Sequence, residues 1–260
     1  MAGLLDGKVV VISGVGPGLG TTLARRCADA GADLVLAART VERLEDVAKQ
    51  VTDMGRRAVS VGTDITDEEQ VNNLVAESLK AYGKIDVLIN NAFRVPSMKP
   101  LANTTFEHMR EAIELTVFGA LRLTQGFTPA LAEAKGSVVN VNSMVVRHSQ
   151  AKYGAYKIAK SALLAMSQSL ATELGDQGIR VNSILPGYIW GGTLESYFNH
   201  QAGKYGTTVD VIYKATAAAS DLKRLPTEDE VASAILFMAS DLSSGITGQT
   251  LDVNCGEYKA

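Results

Sequence analysis

Cysteine is nearly absent. Cys27 and Cys255 are the only two in 260 residues, which excludes a disulfide framework and points to a reducing compartment. His108, His148 and His200 are scattered, and none joins a cysteine at metal-ligand spacing, so no metal is expected. Each reads first as a surface or packing residue, with His148 and His200 as alternative polar contacts for a substrate. No uncharged apolar run approaches the roughly 20 residues that span a bilayer, so no membrane partner is expected. Met1 to Lys8 lacks a basic stretch followed by an apolar signal core, and the cytoplasm is the expected location. Charge of one sign is missing too: 25 Lys and Arg stand against 28 Asp and Glu, net −3. Without a basic patch or tail, a nucleic-acid partner is not expected. Repeats, low-complexity linkers and composition breaks are also lacking, so one domain over 1–260 is expected.

What is present fits a packed globular chain, 46% hydrophobic and 20% charged. Short apolar, β-branched runs alternate with longer amphipathic stretches. Strands are predicted over Lys8–Gly14, Asp33–Arg39, Ala58–Thr63, Ile85–Asn91, Ser137–Ser143, Ile179–Leu185 and Gln249–Val253. Helices are predicted over Leu19–Ala30, Val41–Met54, Asp67–Tyr82, a long region from Thr105 to Glu133, and Tyr153–Gly175. Strands that are apolar throughout are covered on both faces, as in parallel sheets. The alternation implies βαβ units and a doubly wound, Rossmann-type α/β fold. The least regular stretch runs from Tyr188 to Leu225.

Where the first strand meets the first helix stands Ser13-Gly14-Val15-Gly16-Pro17-Gly18-Leu19-Gly20. Gly14 permits a tight turn, Gly18 lets main chain approach a pyrophosphate, and Gly20 lets the helix pack on the sheet. The helix N-terminus offers N–H groups and a positive dipole end to phosphates. The bland alternative is a glycine turn without a ligand, which its place between strand and helix argues against.

Tyr156 and Lys160 stand four apart on a predicted helix and share a face. Reduction of a ketone needs a proton donor at its oxygen, and a neighbouring ammonium favours the phenolate of a tyrosine. Ser143 ends the fifth strand thirteen residues earlier, at the sheet edge where ligands sit in such folds. Tyr153 and Lys157 form a second pair, rotated by about 300°. Either pair alone would read as a solvated tyrosine and lysine.

The glycine spacing, Ser143 and the Tyr-x-x-x-Lys pattern resemble the short-chain dehydrogenase/reductase family, whose first motif is Thr-Gly-x-x-x-Gly-x-Gly. The resemblance runs from Gly7 to Gly256. It implies strand order 3-2-1-4-5-6-7 and hydride transfer between a nicotinamide dinucleotide and a carbonyl or secondary alcohol. Tyr156 is then the acid/base, Lys160 its tuner and nicotinamide-ribose ligand, and Ser143 the substrate orienter. The Ser143 spacing and the following Ser161-Ala162-Leu163 favour Tyr156 and Lys160 over the second pair. The cofactor residues it implies are Ser13, Gly14, Gly16, Pro17, Gly18, Leu19, Gly20, Arg39, Asp64, Ile65, Asn91, Ala92, Phe93, Tyr156, Lys160, Pro186, Gly187 and Ile189.

Ala38 stands where an acidic residue would bind a ribose 2′-hydroxyl, and Arg39 follows it. That arginine pairs with a 2′-phosphate if NADP(H) is the cofactor, which it favours. NAD(H) is the alternative, with Arg39 on the adenine or in solvent. Asp64 reads either as an adenine contact or as a turn and capping residue. Several positions depart from the family pattern. Phe93 replaces the glycine after Asn90-Asn91-Ala92, Thr116 replaces a relay asparagine, and Gly191 replaces a threonine for which Thr193 can substitute. Asn254-Cys255-Gly256 follows the last strand in place of Asp-Gly-Gly.

Six aromatics cluster between Tyr188 and Tyr213, a segment read as a substrate lid over 188–225 or, equally, as an oligomer contact. By resemblance the chain is a homotetramer. The expected substrate is a small carbonyl or alcohol, such as a 3-oxoacyl thioester or a steroid. The rival reading is a regulatory or scaffold protein that binds the dinucleotide without turnover. The intact Ser143, Tyr156 and Lys160 argue against it.

Overall fold

A computed structural model describes residues 3–94 and 99–259. Met1 and Ala2, part of the N-terminal stretch read above, lie outside them. The first half of the chain alternates β1 (Val9–Ser13), α1 (Leu19–Asp29), β2 (Asp33–Ala38), α2 (Val41–Asp53), β3 (Ala58–Gly62), α3 (Glu68–Tyr82) and β4 (Val87–Asn90). Next come α4 (Phe106–Ile113), a π-helical turn (Glu114–Phe118), α5 (Gly119–Ala134), β5 (Ser137–Val141), α6 (Gly154–Leu174) and β6 (Arg180–Pro186). The chain ends with α7 (Gly192–Tyr205), α8 (Val209–Ala217), α9 (Glu228–Ala239) and β7 (Thr250–Val253). The seven strands form one parallel sheet in the order β3-β2-β1-β4-β5-β6-β7, as the resemblance implies.

Alternation along β1 shows why the sheet needs cover on both sides. Val10 and Ile12 pack under Leu23 and Cys27 of α1, Leu44 and Val47 of α2, and Ile235 of α9. Val9 and Val11 face the other way, toward Leu74 of α3, Phe127 of α5 and Leu170 of α6. Side chains two apart on a strand share a face, so a strand covered on both sides is mostly apolar at successive positions.

The helix ends follow from capping. Asp67 caps α3 by accepting from the amides of Glu69 and Gln70, and these bonds hold its carboxyl below the ordinary range. Thr227 and Glu230 form a reciprocal capping box on α9.

Two predicted regions differ. The long helical region from Thr105 to Glu133 is continuous, but its register widens to a π turn at Glu114–Phe118, with Thr116 at its centre. No proline or glycine falls within that turn, so periodicity alone gives no sign of the change. The stretch from Tyr188 to Leu225, read as irregular, contains α7 and α8. A separate apolar cluster holds them: Phe198, Ala217 and Leu225 are buried, with Trp190 and Tyr213 packed on them. The Trp190 ring meets Tyr213 edge-on, with centroids 4.6 Å apart. Among the described residues no helix is long and apolar enough to cross a membrane.

Candidate active site

A cleft of about 850 Å³ runs along the carboxyl edge of the sheet, over the ends of β1, β2, β4, β5 and β6. Every catalytic and cofactor-binding residue expected from the sequence lines it except Thr116. Its two ends are built differently.

The phosphate end is main chain. Gly14 follows β1 with φ +89°, and a Cβ there would overlap the backbone of Ala92. The amide of Gly14 donates to the Ala37 carbonyl (2.8 Å), and Asn91 Nδ2 donates to the Gly14 carbonyl (2.9 Å). The turn is thereby tied to β2 and β4 at once. α1 begins at the cleft with no side-chain cap and no acidic residue in its first turn. Uncapped amides and the positive end of the helix dipole suit a diphosphate. The residues present thus fit a dinucleotide.

At the far end of β2, Arg39, Thr40 and Arg43 line the cleft, and no carboxylate follows Ala38. Asp64 lines it too, but Asp64 Oδ1 accepts from the Thr66 amide (3.0 Å) and hydroxyl (2.7 Å). The turn role weighed for Asp64 is therefore present beside its position in the cleft. Ile65 lies next to it, and Pro186, Gly187 and Ile189 form the wall after β6. The Gly187 amide is held by the Val253 carbonyl (3.0 Å) of β7.

The opposite end is side chain. Ser143 caps a short turn, its hydroxyl accepting from the Val145 amide (3.3 Å). Lys160, only 3% exposed, donates to the Val141 carbonyl (2.7 Å), with Nζ 5.9 Å from the centre of the Tyr156 ring. Burial pulls the Lys160 ammonium down to about 7. Burial also pushes the Tyr156 phenol up to about 12, while a bond with the Ser143 hydroxyl opposes it. Burial is the larger influence on the phenol, and Lys160 Nζ is bonded to the Val141 carbonyl.

The second pair behaves differently. Tyr153 precedes α6, and its hydroxyl shares a bond with that of Tyr188 (3.1 Å). Burial, reinforced by that bond, raises its phenol. Lys157 turns away to the His148 carbonyl (2.7 Å) and the Ser149 hydroxyl (3.0 Å). Of the two lysines, Lys160 is the one in the cleft.

Phe93 stands edge-on to Tyr156, with ring centroids 5.8 Å apart. At 56% exposure it remains a half-open flap of apolar surface over the phenol. Thr116 lines a separate cavity of about 10 Å³ behind Lys160, with Ser13 and Asn90. Ser13 Oγ and Asn90 Oδ1 are buried there without a protein partner. Of the six clustered aromatics, Tyr188 and Tyr197 line the cleft. Trp190, Phe198 and Tyr213 instead form the core beneath α7 and α8, and Tyr205 is exposed. His148 lines the cleft and stacks on Tyr258 (4.0 Å between centroids). Sequence reasoning missed Arg43, Met144, Leu194 and Glu228. Arg43 lies in the first turn of α2, four residues past Arg39. Glu228 comes from a distant part of the chain and carries no motif.

Among the described residues no group of His, Cys, Asp and Glu is placed to hold a metal ion. A family model described as enoyl-(acyl carrier protein) reductase matches residues 14–257. A cis-4-hydroxycyclohexanecarboxylate dehydrogenase of Sinomonas cyclohexanicum is 34% identical, with 96% of each chain covered. The structure of L-sorbose reductase from Gluconobacter frateurii, in complex with NADPH and L-sorbose, superimposes with a TM-score of 0.93. It is 29% identical, and all of both chains is covered. An NAD⁺-bound xylitol dehydrogenase gives 0.89 at 28% identity, covering 97% of this chain and 99% of the other.

Proposed function

The chain belongs to the short-chain dehydrogenase/reductase family of NAD(P)-dependent oxidoreductases, and from that premise we propose that it reduces a ring-borne ketone, or oxidises the matching secondary alcohol, with NADP(H) as the preferred dinucleotide. The observation that carries this reading is the convergence of Ser143, Tyr156 and Lys160 at one end of a cleft whose other end is a phosphate cradle.

The bound dinucleotide supplies or accepts the hydride. The remaining work falls to the protein. Ser13 to Gly20, with Asn91 and Ala92, shape the diphosphate cradle. Arg39 pairs with a 2′-phosphate, and Arg43 adds a second cation. Lys160 would hold the nicotinamide ribose, and the main chain at Pro186, Gly187 and Ile189 would hold the nicotinamide ring against the cleft wall. Ser143 donates to the substrate oxygen and Tyr156 gives it a proton. A phenol held protonated by burial suits that donor role at neutral pH. Thr116 takes the place of the relay asparagine. Its cavity, with the unpartnered Ser13 and Asn90 oxygens, is the size and polarity that hold one water beside Lys160.

The wall opposite the cradle supports this substrate class. Phe93, Tyr188 and Tyr197, with Met144, Val145 and Leu194, offer flat apolar surface with phenol hydroxyls at its edge. Such a wall suits a compact ring, as in a steroid or a hydroxycyclohexane, better than a thioester chain. The related cyclohexanecarboxylate enzyme supports that choice. The segment 188–225 covers this end as a helical lid. A homotetramer, implied by resemblance, would cover the exposed Phe106 and Phe118.

The test is oxidation of NADPH and NADH by the purified protein against cyclic ketones, oxo-steroids, keto-sugars and 3-oxoacyl thioesters. Fastest turnover is expected with a cyclic ketone and NADPH. Arg39→Asp should lower the NADPH-to-NADH ratio by about tenfold or more through loss of one charge-assisted contact. Preference for a sugar or thioester would overturn the substrate reading, and an unchanged ratio would overturn the NADP reading.

A further inference from the structure

The phosphate end of the cleft contains an anion of the protein's own. Glu228 is the first residue of α9, far along the chain from the glycine turn, yet its carboxylate reaches that turn. Glu228 Oε2 accepts from the Thr22 hydroxyl of α1 at 2.8 Å. Its Oε1 lies 3.2 Å from the place a Cβ would take on Gly18, with the Thr193 hydroxyl 3.3 Å from the same point. A Cβ on Gly191 would overlap the carboxylate itself. Glu228 therefore sits between the start of α1 and the start of α7, where the cradle meets the lid.

The field that favours this carboxylate is the one a diphosphate would use. α1 brings no cap and no acidic residue of its own to its first turn, so its dipole acts on whatever anion lies in front of it. Two anions at one helix end repel. Resting on the reading of this cleft as the dinucleotide site, we propose that Glu228 is an internal competitor for the diphosphate subsite, which weakens dinucleotide binding and speeds its release. Displacing the carboxylate from Gly18 also moves it relative to Gly191, just before α7. The glycines at 18 and 191 leave the room that this movement needs.

Glu228 also belongs to the acidic first turn of α9, with Asp229 and Glu230. A residue serving only α9 would change melting temperature when altered and leave ligand affinity alone. The test therefore reads affinity. Glu228→Gln keeps the shape and the Thr22 bond while removing the charge. By titration, the variant should bind NADPH, NADH and ADP-ribose about five- to tenfold more tightly than the wild type, with slower release in stopped flow. Adenosine, which has no phosphate, should bind both proteins alike. If Glu228→Gln does not fold, Glu228→Asp, which draws the charge back by one methylene, should give a gain of about twofold. Equal or weaker binding of ADP-ribose by a folded variant overturns the proposal. A wild-type chain that binds neither dinucleotide overturns the site reading and this proposal together.

Discussion

At the phosphate end the wall of the cleft is main chain, and at the substrate end it is side chain. Gly14 is wedged against the Ala92 backbone and bonded to β2 and β4. Phe93, only one residue past Ala92, meets the Tyr156 ring edge-on and stays half open. A main-chain wall accepts almost no other residue, because a single Cβ collides with backbone that cannot move. A side-chain wall can be rebuilt by exchanging rings. The contrast explains how one architecture keeps a common cofactor while its relatives act on different alcohols.

The sharpest way to break this contrast is at Gly14. Gly14→Val adds a branched side chain at φ +89°, against the Ala92 backbone. Dinucleotide affinity should fall by about 100-fold or more, with a lowered melting temperature, since such strain costs several kcal/mol. Titration and thermal melts check both. Near-normal affinity would mean that the cradle is not rigid.

A change at the other end should leave the cradle alone. Phe198, 2% exposed, anchors the cluster under α7 and α8. Phe198→Ala should lower stability by about 3 kcal/mol and raise the substrate KM, while the dinucleotide Kd stays unchanged. A parallel loss of dinucleotide affinity would join the two ends into one unit.

The last of these tests concerns the buried lysine between them. Lys160 falls from 10.5 to about 7 on burial. Between those values the unfolded chain holds a proton that the folded chain has given up, so stability rises with pH across that window. The cost of burying the charge is present in full below about 7 and is relieved by about 10.5. Lys160→Met should flatten that rise in denaturant melts, and an unchanged slope would place the lysine in contact with water.

The same contrast governs how far the residues could be read without coordinates. β1, β2 and β4 were legible to within a residue or two, because burial on both faces leaves nearly unbroken apolar runs bounded by Gly14, Gly31 and Gly83. The glycine turn was legible because its spacing is forced by backbone geometry. The π turn at Glu114–Phe118 was not, since its residues are ordinary helix formers. The aromatics after Tyr188 signalled apolar surface without direction. Only packing separates Tyr188 and Tyr197 in the cleft from Trp190, Phe198 and Tyr213 beneath it. Glu228 was invisible because the sheet order, not the local sequence, brings α9 beside α1. The two Tyr-x-x-x-Lys pairs look alike in sequence. They differ in burial, with Lys160 inside and Lys157 bonded to the rim at His148 and Ser149.

That last difference sets the most direct test. Turnover and dinucleotide affinity should be measured side by side for wild type, Tyr156→Phe and Tyr153→Phe. Tyr156→Phe is expected to lose about 1,000-fold or more of turnover with dinucleotide affinity intact, as for loss of a general acid. Tyr153→Phe should keep most of its turnover and change mainly the substrate KM. Retained turnover in Tyr156→Phe, or a collapse confined to Tyr153→Phe, would contradict the account.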